Sequence, residues 1–563
     1  MCVKGYNKHM RNNTKNNKHR YFGANHARKS GKNRSTGTGL GQALRGRAVA
    51  RRADNEPYDR EKRIAKIIEE QKFDVVFPVA VTAESETVRP FRADRRDMTK
   101  QLVITIDGAD AKDFDDAVSL TKTVDGYTLS VHIADVSAYV KFKGAIDREA
   151  YSRGTSVYYP QGVIPMLPER LCNDLCSLVP NQNRLTLSVD MQFNNDGDRV
   201  GYDIYEAEIE SKARMTYDEV ENIYNGKASR SPEIDKMLFD MRELARSLKR
   251  KRRLRGAVDF ESGETTFVFD DTDKVIDVRP VKNGVSNNVI EEFMLAANQT
   301  VSEHLSRAEL PCVFRVHEEP DPDKLTALKS FATTCGFTFH KQKNVSKSLQ
   351  GLVKQAQGST FENVINTVLV RSMQKAKYSS KNIGHFGLQS KYYCHFTSPI
   401  RRYPDLVVHR IVKLALNKGM DDKQKAKYAT FTNEASYASS EREYAAQLVE
   451  RNVDDLLKAE YAEAHIGEKH TGIVSSVTSF GLFVELDNTV EGLLRMEALP
   501  RDRYEYRENL YALCGKKRTF RLGDRLDVVI EGVIDHRLVR FALDRQKETN
   551  DTGVNVFANE GSC

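Results

Sequence analysis

A dense cluster of acidic side chains lies between residues 107 and 116, where the sequence reads DGADAKDFDD. Five carboxylates within ten residues repel one another, so they can share one site only when cations neutralise them. Carboxylate oxygens are hard ligands, which favour Mg²⁺, Mn²⁺ or Ca²⁺ over Zn²⁺. Two such cations could activate water and stabilise the leaving oxygen of a phosphoryl displacement. The alternative is an exposed acidic turn, since Asp is common in loops.

Other catalytic signatures are missing from the sequence. It contains no Walker phosphate loop, no G-x-S-x-G elbow, no H-E-x-x-H pair and no two C-x-x-C ribbons. The acidic run also fails as an EF-hand, because the third ligand position counted from Asp113 falls on Ala117. We interpret Cys172 and Cys176 as buried or free thiols, with a redox or zinc pair as the alternative.

The pattern of apolar residues predicts the elements that would position the acidic cluster. Residues 102–106 indicate a buried strand directly before it, and residues 127–133 indicate a second strand. Residues 56–73 have the spacing of one short amphipathic helix. Four prolines in residues 160–180 predict an irregular region with neither a helix nor a long strand.

The rest of the chain divides into an α-rich middle and a β-rich end. From residue 467 onward, short alternating segments with glycines at the turns predict a small antiparallel barrel. Apolar residues at helical spacing predict helices in residues 234–255, 286–306, 322–335, 361–376, 404–418 and 422–465.

Positive charge is concentrated at one end of the chain. Residues 1–53 contain fourteen Lys or Arg and no acidic residue, whereas the 563 residues together have a net charge of +8. Blocks of like charge usually stay disordered and often bind nucleic acid. This basic arm is therefore a solvated tail or a polyanion-binding segment. A transit peptide fits less well, because the arm is rich in Lys and Asn.

The composition excludes membrane proteins and disulfide scaffolds. Hydrophobic residues make up 40% of the chain and charged residues 29%, and no run of 18 or more apolar residues could span a bilayer. No apolar segment typical of a signal peptide follows the basic start. Eight scattered cysteines suit reduced thiols. We therefore expect a cytoplasmic multidomain protein without membrane contact.

Several separated blocks of the chain resemble one family, the ribonuclease II and ribonuclease R exoribonucleases. The likeness extends over residues 60–545 in family order. The blocks are TIDGADAKDFDDAV (105–118), HIADVSAYV (132–140), RGTSVYYPQGVIPMLPERLCNDLCSL (153–178), IEEFMLAANQ (290–299), FRVHEEPD (314–321), HFGL (385–388) and HFTSPIRRYPDLVVHR (395–410). The resemblance implies a metal-dependent, hydrolytic, processive 3′→5′ exoribonuclease that degrades single-stranded RNA to nucleoside 5′-monophosphates. Structured RNA is left open as a further substrate.

The family pattern implies a catalytic role for five residues. Asp107, Asp113, Asp115 and Asp116 match the family's metal-site aspartates, with Asp115 expected to matter most. They would hold two Mg²⁺ ions, with Mn²⁺ as an alternative. Arg401 matches the arginine near the scissile phosphate, where a guanidinium can hold phosphate oxygens. Without the resemblance, a surface ion pair is the alternative for Arg401.

Four aromatic residues are expected to contact RNA bases. By resemblance, Tyr158 and Phe260 would stack on the bases near the RNA 3′ end. Without the resemblance, both would be interpreted as core residues. Phe480 and Phe483 lie in a segment that resembles an S1-type OB-fold, where RNA stacking and core packing are balanced alternatives.

Glutamates complete the set of candidate site residues. Glu292 resembles a family residue near the RNA backbone, and its neighbour Glu291 remains an alternative. Glu450 or Glu441 could also line the site, because the spacing in this region varies.

The predicted fold class is α+β and multidomain, with an α/β catalytic RNB domain before an S1-type OB-fold barrel. We expect a monomer without a nucleotide cofactor; the alternative function is a non-catalytic RNA-binding protein. Family members usually carry one or two cold-shock modules before the catalytic domain, and we expect these to be missing. The predicted parts are a disordered basic arm (1–55), a lead-in helix and linker (56–98), the catalytic domain (99–465), the OB-fold (466–546) and a tail (547–563).

Overall fold

The structure is a computed structural model that describes residues 58–544, except residues 92–93, 258–263, 282, 341–343, 360 and 418. The predicted arm, the predicted tail and Phe260 lie outside the described residues. The described residues from Arg60 to Asp544 belong to one compact unit. Within the described ranges, no helix is both long enough and apolar enough to cross a membrane.

A six-stranded mixed sheet lies at the centre of the region predicted to be catalytic. Its spatial order is β1-β8-β2-β3-β4-β7, and β5 pairs separately with β6. The strands are β1 (Arg96–Asp97), β2 (Val103–Asp107), β3 (Asp116–Thr123), β4 (Gly126–Ala134), β5 (Val157–Tyr159), β6 (Gly162–Ile164), β7 (Asn183–Asn194) and β8 (Arg199–Thr216).

Strand β8 brings two strand ends to one edge of this sheet. Its first part pairs antiparallel with β7, and its last part pairs in parallel with β2, with Asp107 opposite Thr216. Parallel strands end at the same edge, so the carboxyl ends of β2 and β8 lie side by side. The acidic run begins at this edge.

Eleven α-helices lie within the described ranges, and four of them contact the central sheet. Helix α5 contacts β3, α6 contacts β4, α4 contacts β2 and β8, and α10 contacts β8. The helices are α1 (Arg60–Glu70), α2 (Val79–Thr87), α3 (Ala145–Arg153), α4 (Tyr217–Tyr224), α5 (Pro232–Arg255), α6 (Val285–Arg307), α7 (Pro322–Thr334), α8 (Val345–Ala356), α9 (Glu362–Ser372), α10 (Tyr403–Asn417) and α11 (Asp422–Ala464).

The ends of α5 show how local sequence sets a helix boundary. The Ser231 side chain accepts a hydrogen bond from the backbone N of Ile234, and Pro232 occupies the first turn, where no backbone donor is needed. Gly256 ends the helix with a φ of 112°, a conformation that disfavours residues with a side chain.

The C-terminal part is a closed five-stranded barrel, as predicted from the sequence, but it is not wholly antiparallel, because β15 pairs with β20 in parallel. Its order is β13-β14-β15-β20-β19, and β16 to β18 form a separate sheet. The remaining strands are β9 (Thr265–Phe269), β10 (Val275–Pro280), β11 (Phe314–Val316), β12 (Lys377–Ser379), β13 (Lys469–Thr478), β14 (Gly481–Leu486), β15 (Glu491–Arg495), β16 (Glu505–Arg507), β17 (Ala512–Cys514), β18 (Thr519–Arg521), β19 (Arg525–Ile534) and β20 (Leu538–Leu543).

The proline-rich region differs from its prediction. Residues Arg170–Leu175 form a one-turn π-helix, so the expectation of no helix there is wrong. Pro168 starts this turn, because its carbonyl accepts hydrogen bonds from Leu171 and Cys172, and a proline needs no donor there. Cys172 and Cys176 are buried free thiols, as interpreted from the sequence.

Candidate active site

The acidic loop that joins β2 to β3 is fixed by the proline-rich region. The Ser177 hydroxyl accepts a hydrogen bond from the backbone N of Phe114 at 3.0 Å and donates to the Lys112 carbonyl at 2.7 Å. The Phe114 carbonyl accepts from the backbone N of Leu178 at 3.0 Å, and the Phe114 ring is buried. The loop is therefore held in one shape, unlike a solvated turn.

One pocket of about 270 Å³ gathers the residues selected from the sequence for catalysis. Helix α6 and the segment before α10 complete its wall. We call it the aspartate pocket, and it contains Asp107, Asp113, Asp115, Asp116 and Arg401.

Asp115 connects the acidic loop to the segment that carries Arg401. Its Oδ1 accepts a hydrogen bond from the backbone N of Ile400 at 2.8 Å, and its Oδ2 lies 3.6 Å from Nε of Arg401. Burial raises the pKa of Asp115 well above its usual value, while the charge of Arg401 and the bond from Ile400 oppose this rise.

Asp107 and Asp116 are also strongly perturbed. Burial raises the pKa of Asp107 to about 8 and that of Asp116 to about 6. The negative charges of Asp116 and Asp113 add to the rise at Asp107, and the positive charges of Arg214 and Arg401 oppose it. These carboxylates cannot all ionise at neutral pH unless a further cation compensates them.

The donor set of the pocket fits divalent cations. Oδ2 of Asp107 and Oδ2 of Asp115 are buried and accept no hydrogen bond, so both oxygens are available as ligands. Carboxylate oxygens suit Mg²⁺ or Mn²⁺. Among the described residues, no three Asp, Glu, His or Cys side chains form a preassembled metal cluster. The candidate ligands are therefore carboxylates that are spread over the wall of the pocket.

The two neighbouring arginines before α10 have different surroundings. The fully buried Asp405 accepts hydrogen bonds from the backbone N of Ser398 at 2.8 Å and from the Arg402 guanidinium at 2.8 and 2.9 Å. Arg402 is thus paired within its own segment. The Arg401 side chain is 45% exposed and lines the aspartate pocket, where it can meet a ligand.

Tyr158 lies beside the pocket on β5. Its hydroxyl donates a hydrogen bond to Oδ2 of Asp113 at 2.6 Å, and its backbone N donates to Oε1 of Glu450 at 3.2 Å. Tyr158 is 41% exposed, so part of its ring is accessible. Burial of the hydroxyl and the nearby Asp113 charge raise the pKa of Tyr158 above its usual value.

The candidate glutamates separate in the structure. Glu291 lines the aspartate pocket. Glu292 lies on another face of α6, where it is buried and its Oε1 accepts hydrogen bonds from Arg252 at 3.0 and 2.7 Å. Glu441 is exposed. Of these three, Glu291 is therefore the one that reaches the predicted site.

The two barrel phenylalanines differ in exposure. Phe480 is 38% exposed and precedes β14, whereas Phe483 lies within β14 and is only 8% exposed. Their rings meet edge to face with centroids 6.3 Å apart. The Phe480 ring can contact a ligand, whereas the buried Phe483 ring packs against the Phe480 ring.

Sequence reasoning missed several residues that line the pocket, among them Tyr217, Asn298 and Tyr393. Asn298 lies seven residues after Glu291, on the same face of α6, so helical periodicity could have found it. Its side chain accepts a hydrogen bond from the backbone N of Phe396 at 2.8 Å. Tyr217 follows β8 directly, and only the pairing of β8 with β2 reveals that it lies near Asp107.

Comparison with known proteins places this site within a family. A family model described as RNB domain matches residues 95–418, and a model described as S1 RNA binding domain matches residues 463–542. The ribonuclease R of Thermotoga maritima is 42% identical over 484 residues, which cover 82% of this chain and 68% of the relative. The ribonuclease R of Mycoplasmopsis pulmonis is 38% identical over 472 residues, which cover 82% and 65%. The chain thus spans about two thirds of the length of these relatives.

A solved structure shows the same fold. RNase R of Mycoplasma genitalium, in complex with ribose-methylated single-stranded RNA, matches with a TM-score of 0.81 at 28% identity. The match covers 86% of this chain and 78% of that chain. The RNB match covers more than half of the chain and includes every residue that forms the aspartate pocket. On this evidence the chain belongs to the RNB family, among relatives named ribonuclease R.

Proposed function

We propose that this protein is a divalent-metal-dependent, hydrolytic and processive 3′→5′ exoribonuclease that shortens single-stranded RNA and releases nucleoside 5′-monophosphates. The observation that carries the proposal is the aspartate pocket, where four carboxylates and Arg401 meet. Its relatives named ribonuclease R support the same activity. Exoribonucleases of the RNB family generally depend on divalent metal ions.

The charge of the pocket explains why the proposed reaction needs a cation. An RNA phosphate is negative, and Asp107, Asp113, Asp115 and Asp116 would repel it. These four aspartates would hold Mg²⁺, or Mn²⁺ in its place; when bound, such ions neutralise charge and activate water. Asp115 is oriented for this task by its hydrogen bond from Ile400.

Arg401 would stabilise the scissile phosphate. Its side chain is partly exposed in the pocket, and its Nε lies 3.6 Å from Asp115 Oδ2. A planar guanidinium can donate two parallel hydrogen bonds to phosphate oxygens, which strengthen as negative charge develops on them. Arg402 would keep the segment in shape through Asp405.

Tyr158 would position the 3′ end of the RNA. Its hydroxyl is bound to Asp113, so the ring is fixed at the edge of the pocket with part of its surface accessible. Base stacking on such a ring contributes about 1–3 kcal/mol per base for any base type. Phe260 is proposed as the second aromatic of this clamp, from the sequence resemblance.

RNA shortening tests the proposal. Purified full-length protein is incubated with 5′-labelled single-stranded RNA, with and without Mg²⁺ and without any nucleotide cofactor. We expect a Mg²⁺-dependent ladder that shortens from the 3′ end, with nucleoside 5′-monophosphates as products. A circular RNA of the same sequence serves as the control and should remain intact, because an exonuclease needs a free end.

The alternative function is a non-catalytic RNA-binding protein. Tight RNA binding without shortening, in Mg²⁺ and in Mn²⁺, would favour this alternative and contradict the proposed activity. Cleavage of the circular RNA would show an endonuclease instead. We also propose that the active species is a monomer. The molar mass from light scattering, measured under the conditions of the cleavage assay, checks this.

A further inference from the structure

A second cavity of about 380 Å³ lies against another face of helix α6. We call it the basic cavity, because five cationic side chains line it: Arg199, Lys251, Arg252, Arg255 and Lys391. The described residues of its wall include neither the proposed catalytic residues nor any residue of the barrel. It is therefore a separate feature that the proposed reaction does not yet use.

Three of the five cations are neutralised by carboxylates of the same cavity. Arg199 pairs with Glu303, Lys251 with Asp198, and Arg252 with Glu292. Each of these carboxylates also lines the cavity.

Arg255 and Lys391 remain as excess positive charge. Neither makes an ion pair with any residue that the structure describes, and both side chains are exposed. Among the described residues that line the cavity, cationic side chains therefore outnumber carboxylates by two. A phosphate monoester carries a charge of about −1.5 to −2 at neutral pH, which matches this excess.

The cavity also offers groups that suit a nucleoside. Tyr392 presents an aromatic ring with Nζ of Lys391 5.1 Å from the ring centroid. Gln299 supplies an amide donor and acceptor in the wall, whereas the Gln389 amide donates to the Phe386 carbonyl at 2.7 Å and accepts from Asn344 at 3.1 Å. A volume of about 380 Å³ falls in the range of small-ligand pockets. Cationic, aromatic and hydrogen-bonding groups thus occur together, as the binding of a mononucleotide requires.

The basic cavity and the aspartate pocket share a wall. Leu295 of α6 lines both. The neighbouring residues Glu291 and Glu292 face different pockets, and so do Tyr393 and Tyr392. Helix α6 and the segment before α10 therefore form a wall one residue thick between the basic cavity and the aspartate pocket.

We propose that the basic cavity binds a mononucleotide, with Arg255 and Lys391 holding its phosphate. Its occupant is the nucleoside 5′-monophosphate that leaves the aspartate pocket, an assignment that rests on the proposed function. The cavity lies directly across the shared wall from the aspartate pocket, and its excess cations attract a phosphate monoester.

Direct binding of AMP tests the site without any turnover. Isothermal titration calorimetry measures the affinity of the full-length protein for AMP and for adenosine in EDTA. The variants are Arg255→Glu and Lys391→Glu, and Lys381→Glu is the matched control, because Lys381 is exposed and lies outside both pockets. We expect AMP to bind at least about tenfold more tightly than adenosine. Each of the two cavity variants should lose about tenfold in AMP affinity, as expected for one charge-assisted contact, with no loss in the control.

Three outcomes of this titration would overturn the proposal: no AMP binding, equal affinity for AMP and adenosine, or unchanged AMP affinity in both cavity variants. The titration does not depend on RNA cleavage, so it still tests the mononucleotide site if the proposed exoribonuclease activity is wrong.

Turnover kinetics then tests the identity of the occupant. In Lys391→Glu, we expect the rate of the first cleavage of a full-length RNA to stay at the wild-type value and the steady-state rate to fall several-fold. An unchanged steady-state rate, or an equal loss in both rates, would overturn the assignment of the cavity to the leaving product.

Discussion

Both carboxylate oxygens of Asp115 have a partner, because Oδ1 accepts a hydrogen bond from the backbone N of Ile400 and Oδ2 faces Arg401. We predict that Asp115→Asn keeps RNA binding and lowers turnover by about a hundredfold or more, since an amide is a poorer ligand for a hard cation. The amide oxygen can still accept the bond from Ile400, so the fold should be retained. Electrophoretic mobility shift and single-turnover cleavage separate the two effects, and wild-type turnover would contradict the assignment.

The raised pKa values of Asp107 and Asp116 predict that metal binding depends on pH. Below about pH 6 both carboxyls are protonated, so a divalent cation must displace their protons and binds weakly. As pH rises through about 6 and about 8, these protons leave and affinity should increase, reaching a plateau above pH 8. Calorimetry with Mn²⁺ from about pH 5.5 to about pH 9 measures the affinity and the protons released. A pH-independent affinity in the wild type would show that the two groups are not ligands.

Residue types were more predictable from the sequence than residue directions. The four aspartates and Arg401 do meet in one pocket, and their roles there stay predictions. Glu292 was selected over Glu291, but the side chains of adjacent helical residues point about 100° apart, and a sequence without a known helix phase cannot choose between them. The buried partner Arg252 decides the direction of Glu292.

At the scale of the element, β14 and the residues before it give a matched pair of variants. We predict that Phe480→Ala weakens RNA binding by about 1–3 kcal/mol if its exposed ring stacks on a base, with stability changed by less than about 0.5 kcal/mol. Phe483→Ala should lower the free energy of unfolding by about 3–5 kcal/mol, because its ring is buried. Urea unfolding and RNA titration of both variants give the measurement. Equal effects of the two variants on RNA binding would contradict the distinction.

Elements that are set by the spacing of nearby residues were predicted well. Elements that depend on pairing or packing with residues far away in the sequence were not. Helices α5, α6 and α11 lie within about two residues of their predicted bounds, because each has apolar spacing, and Ser231 and Asp421 also cap α5 and α11. The long hairpin of β7 and β8 was not predicted, since it pairs with β4 and β2 across the sheet and its strands mix polar with apolar residues. The π-helix after Pro168 was missed for a similar reason, because its burial is set by tertiary packing.

At the scale of the whole molecule, the basic arm gives a prediction about salt. Deleting residues 1–53 removes fourteen cationic side chains. If the arm contacts RNA, the slope of log K against log[salt] should become shallower by about 0.7 for each phosphate that it neutralises. RNA affinity measured at several salt concentrations, for the full chain and the deletion variant, gives the two slopes. Identical slopes would show that the arm does not contact RNA.

The sequence predicted the order of the large parts but not their bounds. The change from helical to alternating spacing near residue 467 locates the barrel, whose first strand begins at Lys469. The predicted domain bounds and the cytoplasmic location stay predictions. The central sheet could not be drawn from the sequence, because the parallel pairing of β2 with β8 joins segments about a hundred residues apart.

Helix α11 connects the region around Tyr158 to the barrel and sets the distance between them. Its 43 residues span about 64 Å, with contacts to β5 near Tyr158 and to β19 and β20 of the barrel. One residue inserted after Glu450 would rotate the barrel by about 100° around the helix axis. An insertion of seven residues, about two turns, would nearly restore its orientation around that axis. The helix therefore sets a phase as well as a distance. An engineer who exchanges the barrel for another domain must count residues in whole turns.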